Sequence, residues 1–411
     1  MIFVGIDWDD KGYVVRMVDE MGKDIIKVLR IEKSQKGFER LINEMNKHSR
    51  GIGNVLIGIE TDKNILVDYL LSLGYKVYLI NPNAMNSFRE RYSNSRQRTD
   101  GFDAYVMANV VRTDRDRLRL VKSKSEKVRR IEFLVRQRDA AVRDRVRLIN
   151  RLRAMLKEYY PVFLEFFKDV ECPTSISFLQ AYPTLDDVKV LTKDEIREFL
   201  RKRRVYSQES VERIWEALQK EQIEADKVVI ELRSKAVVQL AKHIELLNKE
   251  IEGYKREMES IIDEDDDGKI FKSLPGAGAV ISSGLLMVFG DDRGLYKNAR
   301  EVMALSGIVP VTRGSGKYIS RSFRFGCNHF YRNIFTEFAN TSLSKSLWAR
   351  MYYERKRKEG KTHYHALRCL ATLWIKVVYA LWREKEMYDE DKHLASIIRH
   401  KMRNKLVMEV E

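Results

Sequence analysis

Ile2-Phe3-Val4-Gly5-Ile6-Asp7 is an apolar run that stops on a carboxylate, and Tyr13-Val14-Val15-Arg16-Met17-Val18 follows it after the turn signal Asp9-Asp10-Lys11-Gly12. Both runs are short and rich in β-branched residues, the composition of buried strands. Glu20-Met21-Gly22 marks the next turn, and residues 24–29 read as a third strand. Three strands in succession, joined by tight turns, describe an antiparallel meander.

Working outward, residues 36–46 have helical spacing, 54–59 form a buried-type strand, 64–73 a helix, and 75–80 a strand closed by Asn81-Pro82. A meander followed by parallel crossovers is the element order of a ribonuclease-H-like domain. From 124 to 156 the chain is charged and helical, with Val128, Ile131, Val135, Val142, Ile149 and Leu152 on one side. Pro161 and Pro173 break that pattern, and residues 177–205 carry short helical signals among many cations. Val237, Leu240, Ile244, Leu247, Ile251, Tyr254, Met258 and Ile261 then alternate three and four apart, the seam of a coiled-coil arm or an antiparallel helical hairpin. The acidic run 263–267 reads as a solvated turn, and residues 270–383 as a compact helical domain. In that domain Leu274-Pro275-Gly276-Ala277-Gly278 interrupts two helices like a helix-hairpin-helix. Such an element either binds a phosphate through its amides or is a plain turn. The expected fold class is therefore α/β plus α. Its parts are a catalytic domain over 1–122, a helical coiled-coil region over 123–265, a mostly helical domain over 266–385 and a basic tail over 386–411.

Lysine and arginine outnumber aspartate and glutamate by 76 to 60, a formal charge of +16 that favours a polyanionic partner, nucleic acid first. Hydrophobic residues make up 44%, enough for real cores and too many for a disordered basic tail. Cys172, Cys327 and Cys369 lie far apart, with neither disulfide-framework nor zinc spacing. The N-terminal apolar run is too short for a signal peptide or a membrane span. A reducing, cytoplasmic setting is expected.

Asp7 ends one strand and Glu60 another, so adjacent strands would bring both carboxylates to one sheet edge. Asp100 and Asp103 share a helical face just after Thr99, a natural N-cap. Four hard oxygen donors from three elements suit one or two Mg²⁺ ions, or Mn²⁺, around a phosphate. Taken singly, each has an ordinary reading as a strand-end acid, an ion-pair partner or a cap. Asp9, Asp10 and Asp62 read as turn residues. Near the other end, Thr312-Arg313-Gly314-Ser315-Gly316-Lys317 sets a serine between glycines on a tight turn. A phosphodiester can approach there, with Arg313 and Lys317 to neutralise it.

Asp7, Glu60, Thr99-Asp100 with Asp103-Ala104, then Leu274-Pro275-Gly276, Thr312-Arg313 and Ser315-Gly316-Lys317 resemble the DEDD insertion-sequence transposases of the IS-one-ten family. Phe323-Arg324-Phe325-Gly326-Cys327-Asn328, Trp348-Ala349-Arg350-Met351-Tyr352-Tyr353, Gly360-Lys361 and His365-Ala366-Leu367-Arg368 extend the likeness over nearly the whole chain. The cysteine before Asn328 favours the branch proper over its sister branch. The stretch 177–235 is longer than a compact member needs.

The resemblance implies a RuvC-like domain with Asp7, Glu60, Asp100 and Asp103 as magnesium ligands. It further implies Ser315 as a nucleophile that forms a phosphoserine with DNA, and nucleic-acid contacts from Arg313, Gly316, Lys317, Arg324 and Asn328. It also implies donor and target DNA as partners, a structured bridge RNA as guide, a homo-oligomeric dimer or tetramer, no membrane, and a nucleoid-associated place in a prokaryotic cytoplasm. Three other readings compete: a Piv-like DNA invertase, a metal-dependent junction-resolving nuclease without the serine, and a basic nucleic-acid scaffold with a degenerate fold. His363 and His365, two apart on a helix, and His329 are expected to pack or to touch phosphate rather than bind metal. Trp348, Tyr352, Tyr353 and Trp374 are expected in the core. The cations of 355–358 and of the tail, with Arg399, His400, Lys401 and Arg403, are solvated or meet nucleic acid.

Overall fold

The computed structural model describes residues 1–396 and 399, apart from 9, 62, 63, 94–98, 223, 224, 316 and 317. The chain separates into two compact units, Met1–Ser125 and Glu126–Glu411.

The first unit runs β1 (Ile2–Trp8), β2 (Gly12–Val18), β3 (Asp24–Glu32), α1 (Gln35–His48), β4 (Val55–Ile59), α2 (Ile65–Ser72), β5 (Lys76–Leu79), α3 (Pro82–Tyr92), α4 (Asp100–Asp114) and β6 (Arg119–Leu120). The strands form one sheet in the order β3-β2-β1-β4-β5-β6. β1, β2 and β3 pair antiparallel, β1-β4-β5 parallel, and β6 returns antiparallel on the far edge. The meander and crossovers expected from the sequence are both present. Helix α3 and strand β6 are additions to that reading.

Both faces of the sheet are covered, which is why β1 and β4 are apolar at successive positions rather than alternate ones. Val4, Ile6, Val55, Ile57 and Ile59 pack on one face with Leu41 and Leu70; Phe3 and Leu56 pack on the other with Met107, Val110 and Val111 of α4. Helix α4 lies unusually close to the sheet. Gly5 and Gly58 face one another across the β1–β4 pair. A Cβ on Gly5 would stand 1.8 Å from the Ala104 carbonyl oxygen, and one on Gly58 would stand 2.6 Å from Val111. Two side-chain-free positions in register make the channel that α4 occupies.

The second unit opens with α5 (Glu126–Tyr159), a helix of 34 residues, about 51 Å long at ~1.5 Å per residue. Short helices follow: α6 (Phe163–Phe166), α7 (Pro173–Ala181), α8 (Leu185–Lys189), α9 (Lys193–Lys202) and α10 (Gln208–Gln219). The chain returns along α11 (Lys227–Glu264). α5 and α11 are antiparallel, since Lys127 pairs with Asp265, Arg145 donates to Asn248, and Glu158 pairs with Arg233. Their far end and the short helices share one apolar core, which includes Tyr160, Phe163, Phe166 and Phe178.

The remaining elements are α12 (Asp266–Lys272), α13 (Ala279–Phe289), α14 (Ala299–Leu305), β7 (Val311–Ser315), β8 (Tyr318–Ser322), α15 (His329–Ser342), α16 (Leu347–Lys358) and α17 (His363–Glu384). The helices among them pack around the near end of the α5–α11 pair in a second core with α13 at its centre. Trp348 and Trp374 are buried there, and Tyr352 and Tyr353 pack against it, as the sequence suggests.

The C-terminal domain is mostly helical, as expected, and β7 and β8 add an antiparallel hairpin to it. The acidic run at 263–267 is solvated only in part, at Asp263, Glu264 and Asp266. Asp265 caps α12 and pairs with Lys127, while Asp267 is buried against Arg293 and Asp263 pairs with Lys272. Lys127 and Arg293, from distant segments, answer Asp265 and Asp267. No helix among the described residues is long and apolar enough to cross a membrane.

Candidate active site

Parallel pairing places Ile6 beside Ile59, so β1 and β4 deliver Asp7 and Glu60 at neighbouring strand ends. Helix α4 supplies Asp100 and Asp103 from its first turn. The Thr99 side chain caps that turn by accepting from the Phe102 amide at 3.2 Å, and the helix dipole favours carboxylates there. Arg16 on β2 fixes the same turn. Its guanidinium pairs with Asp24 at 2.6 Å, donates to the Gly101 carbonyl at 3.4 Å and lies 4.6 Å from the centre of the Tyr105 ring. The glycine channel under α4 and the Arg16 brace over it therefore set where Asp103 meets Asp7.

The four acids feel one another. Burial first, then the Asp103 charge, pushes the Asp7 carboxyl up to about 7; Asp100 and Glu60 push the same way, while the Trp8 amide, donating at 3.0 Å, opposes them. Among the described residues, Arg89 is the cation paired with this group. Arg89 on α3 grips Asp103 with two hydrogen bonds of 2.6 and 2.7 Å, and both partners are largely buried. The pairing raises the Arg89 guanidinium further, with contributions from Glu60 and Asp7.

Arg89 is the site residue that sequence reasoning misses. Asn81-Pro82 closes β5 like a turn, and the polar helix behind it buries Met85 with little else to announce it. In this arrangement no three described His, Cys, Asp or Glu side chains are gathered closely enough to hold an ion. The donor type still suits a divalent cation, being hard carboxylate oxygens brought by two neighbouring strand ends and one helix turn. Asp10 sits in the exposed turn after β1, and Asp9 and Asp62 lie outside the described residues.

Ser315 belongs to the second unit, as the last residue of β7, opposite Tyr318. Gly316 and Lys317, between them, lie outside the described residues, as do His400, Lys401 and Arg403. Arg313 is exposed on β7. Arg324 donates to the Val309 carbonyl at 3.4 Å. The Asn328 side chain caps α15, accepting from the amides of Phe330 and Tyr331. His363 meets the Tyr353 hydroxyl at 2.7 Å, and all three cysteines are free thiols.

A sheet with carboxylates at its strand ends and a helical unit whose hairpin carries a serine beside a glycine fit an enzyme that acts on phosphate esters. Family comparison sharpens that. Residues 4–161 match a DEDD transposase model, and 268–354 match the model described as Transposase IS116/IS110/IS902 family. The chain belongs to this IS110 family of insertion-sequence transposases. It is 28% identical to the mini-circle putative transposase for IS117 of Streptomyces coelicolor, over 97% of both chains. An insertion element IS116 protein of Streptomyces clavuligerus is 29% identical over 79% of this chain and 80% of its own. The transposase for insertion sequence element IS1111A of Coxiella burnetii is 21% identical over 94% and 90%.

Proposed function

We propose that the chain cuts and rejoins DNA through a covalent phosphoserine on Ser315, assisted by a metal site on the first unit. The observation that carries the reading is the placement of Asp7 and Glu60 at neighbouring ends of β1 and β4, with Asp100 and Asp103 in the first turn of α4 and Asp103 held by Arg89. Family membership supports transposition of an insertion sequence, with donor and target DNA as substrates. The strand order supports an RNase-H-like, RuvC-like fold.

Asp7, Glu60, Asp100 and Asp103 are the residues that would hold Mg²⁺, or Mn²⁺. Bound there, the ion would polarise the scissile phosphate and stabilise the leaving oxygen. The chain's own residues do the rest. Arg89 yields Asp103 when a cation competes for it. Ser315 forms a new P–O bond as the strand's own P–O bond breaks, and the leaving oxygen gains a proton in exchange for the one the serine gives up. The ester keeps the phosphoryl group activated for rejoining. Arg313, Gly316, Lys317, Arg324 and Asn328 would face the nucleic acid. Selection of sites by a structured bridge RNA fits a basic protein that grips backbones and leaves sequence to base pairing. A homo-oligomer, dimer or tetramer, would bring the DEDD site of one subunit to the serine of another. Work on chromosomal DNA would place it with the nucleoid.

The test incubates the full chain, flanking RNA, DNA and Mg²⁺ and maps covalent protein–DNA adducts. An adduct on Ser315 that is lost in Ser315→Ala and in Asp7→Asn is expected. Strand cutting that persists in Ser315→Ala without any adduct would replace the serine by plain metal-dependent hydrolysis. An adduct formed without RNA would remove the guide and keep the chemistry.

A further inference from the structure

The loop between β8 and α15 carries two phenylalanines at the surface. Phe323 is 37% exposed and Phe325 74%, and their rings meet edge to face at 5.1 Å. Phe325 is among the most exposed aromatic side chains of the described residues, and it is paired with a second ring rather than isolated. Behind it stand two guanidiniums. Arg332 of α15 lies 4.2 Å from the Phe323 ring centre and Arg368 of α17 lies 5.0 Å from it.

The socket is built. Arg332, only 9% exposed, donates to the Gly307 carbonyl at 3.4 Å, to the Cys327 sulfur at 2.8 Å and to the Arg324 carbonyl. Gly307 has a positive φ of 64°, and a Cβ there would stand 2.4 Å from the guanidinium, so the position needs glycine twice over. Neutral carbonyls and a thiol satisfy hydrogen bonds without cancelling charge. The Arg332 Nε has no partner among the described residues. No ion pair with a carboxylate among the described residues reaches either arginine. Burial and the Arg332 charge together depress the Arg368 guanidinium, and burial with Lys361, Arg368 and Lys356 depresses the His365 imidazole. Like charges held together without an anion cost stability unless an anion arrives.

We propose that Phe323, Phe325, Arg332 and Arg368 form a binding site for one unpaired nucleotide, its base stacked on Phe325 and its phosphate held at Arg368. Stacking needs an open base face, which a paired duplex interior does not offer, and every base supplies one regardless of sequence. Arg332 holds the loop and tunes the field; Arg368, with no such duties, is the phosphate contact. The inference rests on the reading of the chain as an enzyme of DNA strands.

Fluorescence anisotropy of the full chain with a labelled tetranucleotide, in EDTA and graded KCl, tests it. Metal-dependent chemistry is off there, so this site and the phosphoserine reading fail separately. Phe325→Ala should weaken binding roughly five-fold or more with the salt dependence intact. Arg368→Gln should weaken binding and flatten the log–log salt slope by about 0.7, and Arg368→Lys should restore the slope. Parallel arms with DNA and RNA of one sequence tell which strand uses the site, and a loss in either supports it. Wild-type binding by both Phe325→Ala and Arg368→Gln would overturn the site. So would an equal loss, in both variants, toward a blunt duplex with no unpaired base.

Discussion

The strand-end site of the first unit and the Phe323 loop of the second are opposite solutions to one electrostatic problem. The first gathers four carboxylates and answers them with the guanidinium of Arg89. The second gathers Arg332 and Arg368 and answers them with carbonyl dipoles, a thiol and an aromatic ring. Among the described residues each leaves charge over, of opposite sign. A site with surplus negative charge is matched to a cation, and one with surplus positive charge to a phosphate. Their scaffolds differ too. Asp7, Glu60 and Asp103 ride on strands and a helix locked by backbone contact, whereas Phe323 and Phe325 ride on a loop held by one buried arginine.

The contrast breaks most completely at Gly5. Gly5→Ala meets the Ala104 carbonyl, which no rotamer change can relieve, so α4 must lift from the sheet. A loss of at least ~3 kcal/mol in the first unit is expected. Hydrogen exchange should show β1 and α4 deprotected while α13 and α17 stay protected. Unchanged protection of α4 would mean that the channel is looser than its contacts imply.

Arg89→Gln sharpens the comparison at smaller cost. Without metal, Asp103 is left among three other acids, and a loss of about 1–2 kcal/mol follows once partial solvent screening is allowed for. Thermal melting in EDTA should fall by a few degrees. The stabilisation gained on adding Mg²⁺ should exceed that of the wild type, because Asp103 no longer has to exchange partners. Equal melting of variant and wild type in EDTA would show that Arg89 is not the resident counter-ion.

A third effect is a pH slope. The Asp7 carboxyl, at about 7 in the folded chain against 3.8 ordinarily, keeps its proton where the unfolded chain has released it. Stability in EDTA therefore loses this contribution as pH rises from about 4 to 7, and the loss is complete above the folded value. Urea midpoints of the wild type, compared with Asp7→Asn, isolate the slope. Parallel pH profiles for the two proteins would remove Asp7 as its source.

The first site was largely legible in the sequence, because strand ends and a capped helix start are local signals. Ile2 to Asp7, Val55 to Glu60 and Thr99-Asp100 each announce themselves within a few residues. Arg89 was not legible, since its importance lies in a contact with Asp103 across a helix that shows little pattern. The β7–β8 hairpin escaped for a different reason. Its exposed residues, among them Arg313, Tyr318 and Arg321, do not alternate with buried ones, so period-two patterning never forms. The Phe323 site draws on residues 323, 325, 332 and 368, which only tertiary packing brings together. Within the acidic run at 263–267 the pairing of Asp265 and Asp267 was not legible, because Lys127 and Arg293 arrive from distant segments.

Gly5 and Gly58 bear on how copies of such a gene decay. On the proposed mechanism, an aspartate at position 7 that becomes asparagine would leave a folded, inert protein that still occupies DNA. No such gentle lesion exists at the glycines, because every replacement adds the Cβ that the α4 backbone or Val111 excludes. Damaged copies should thus divide by where they were hit. Carboxylate lesions would yield stable competitors of active copies, and glycine lesions would yield chains cleared by proteolysis.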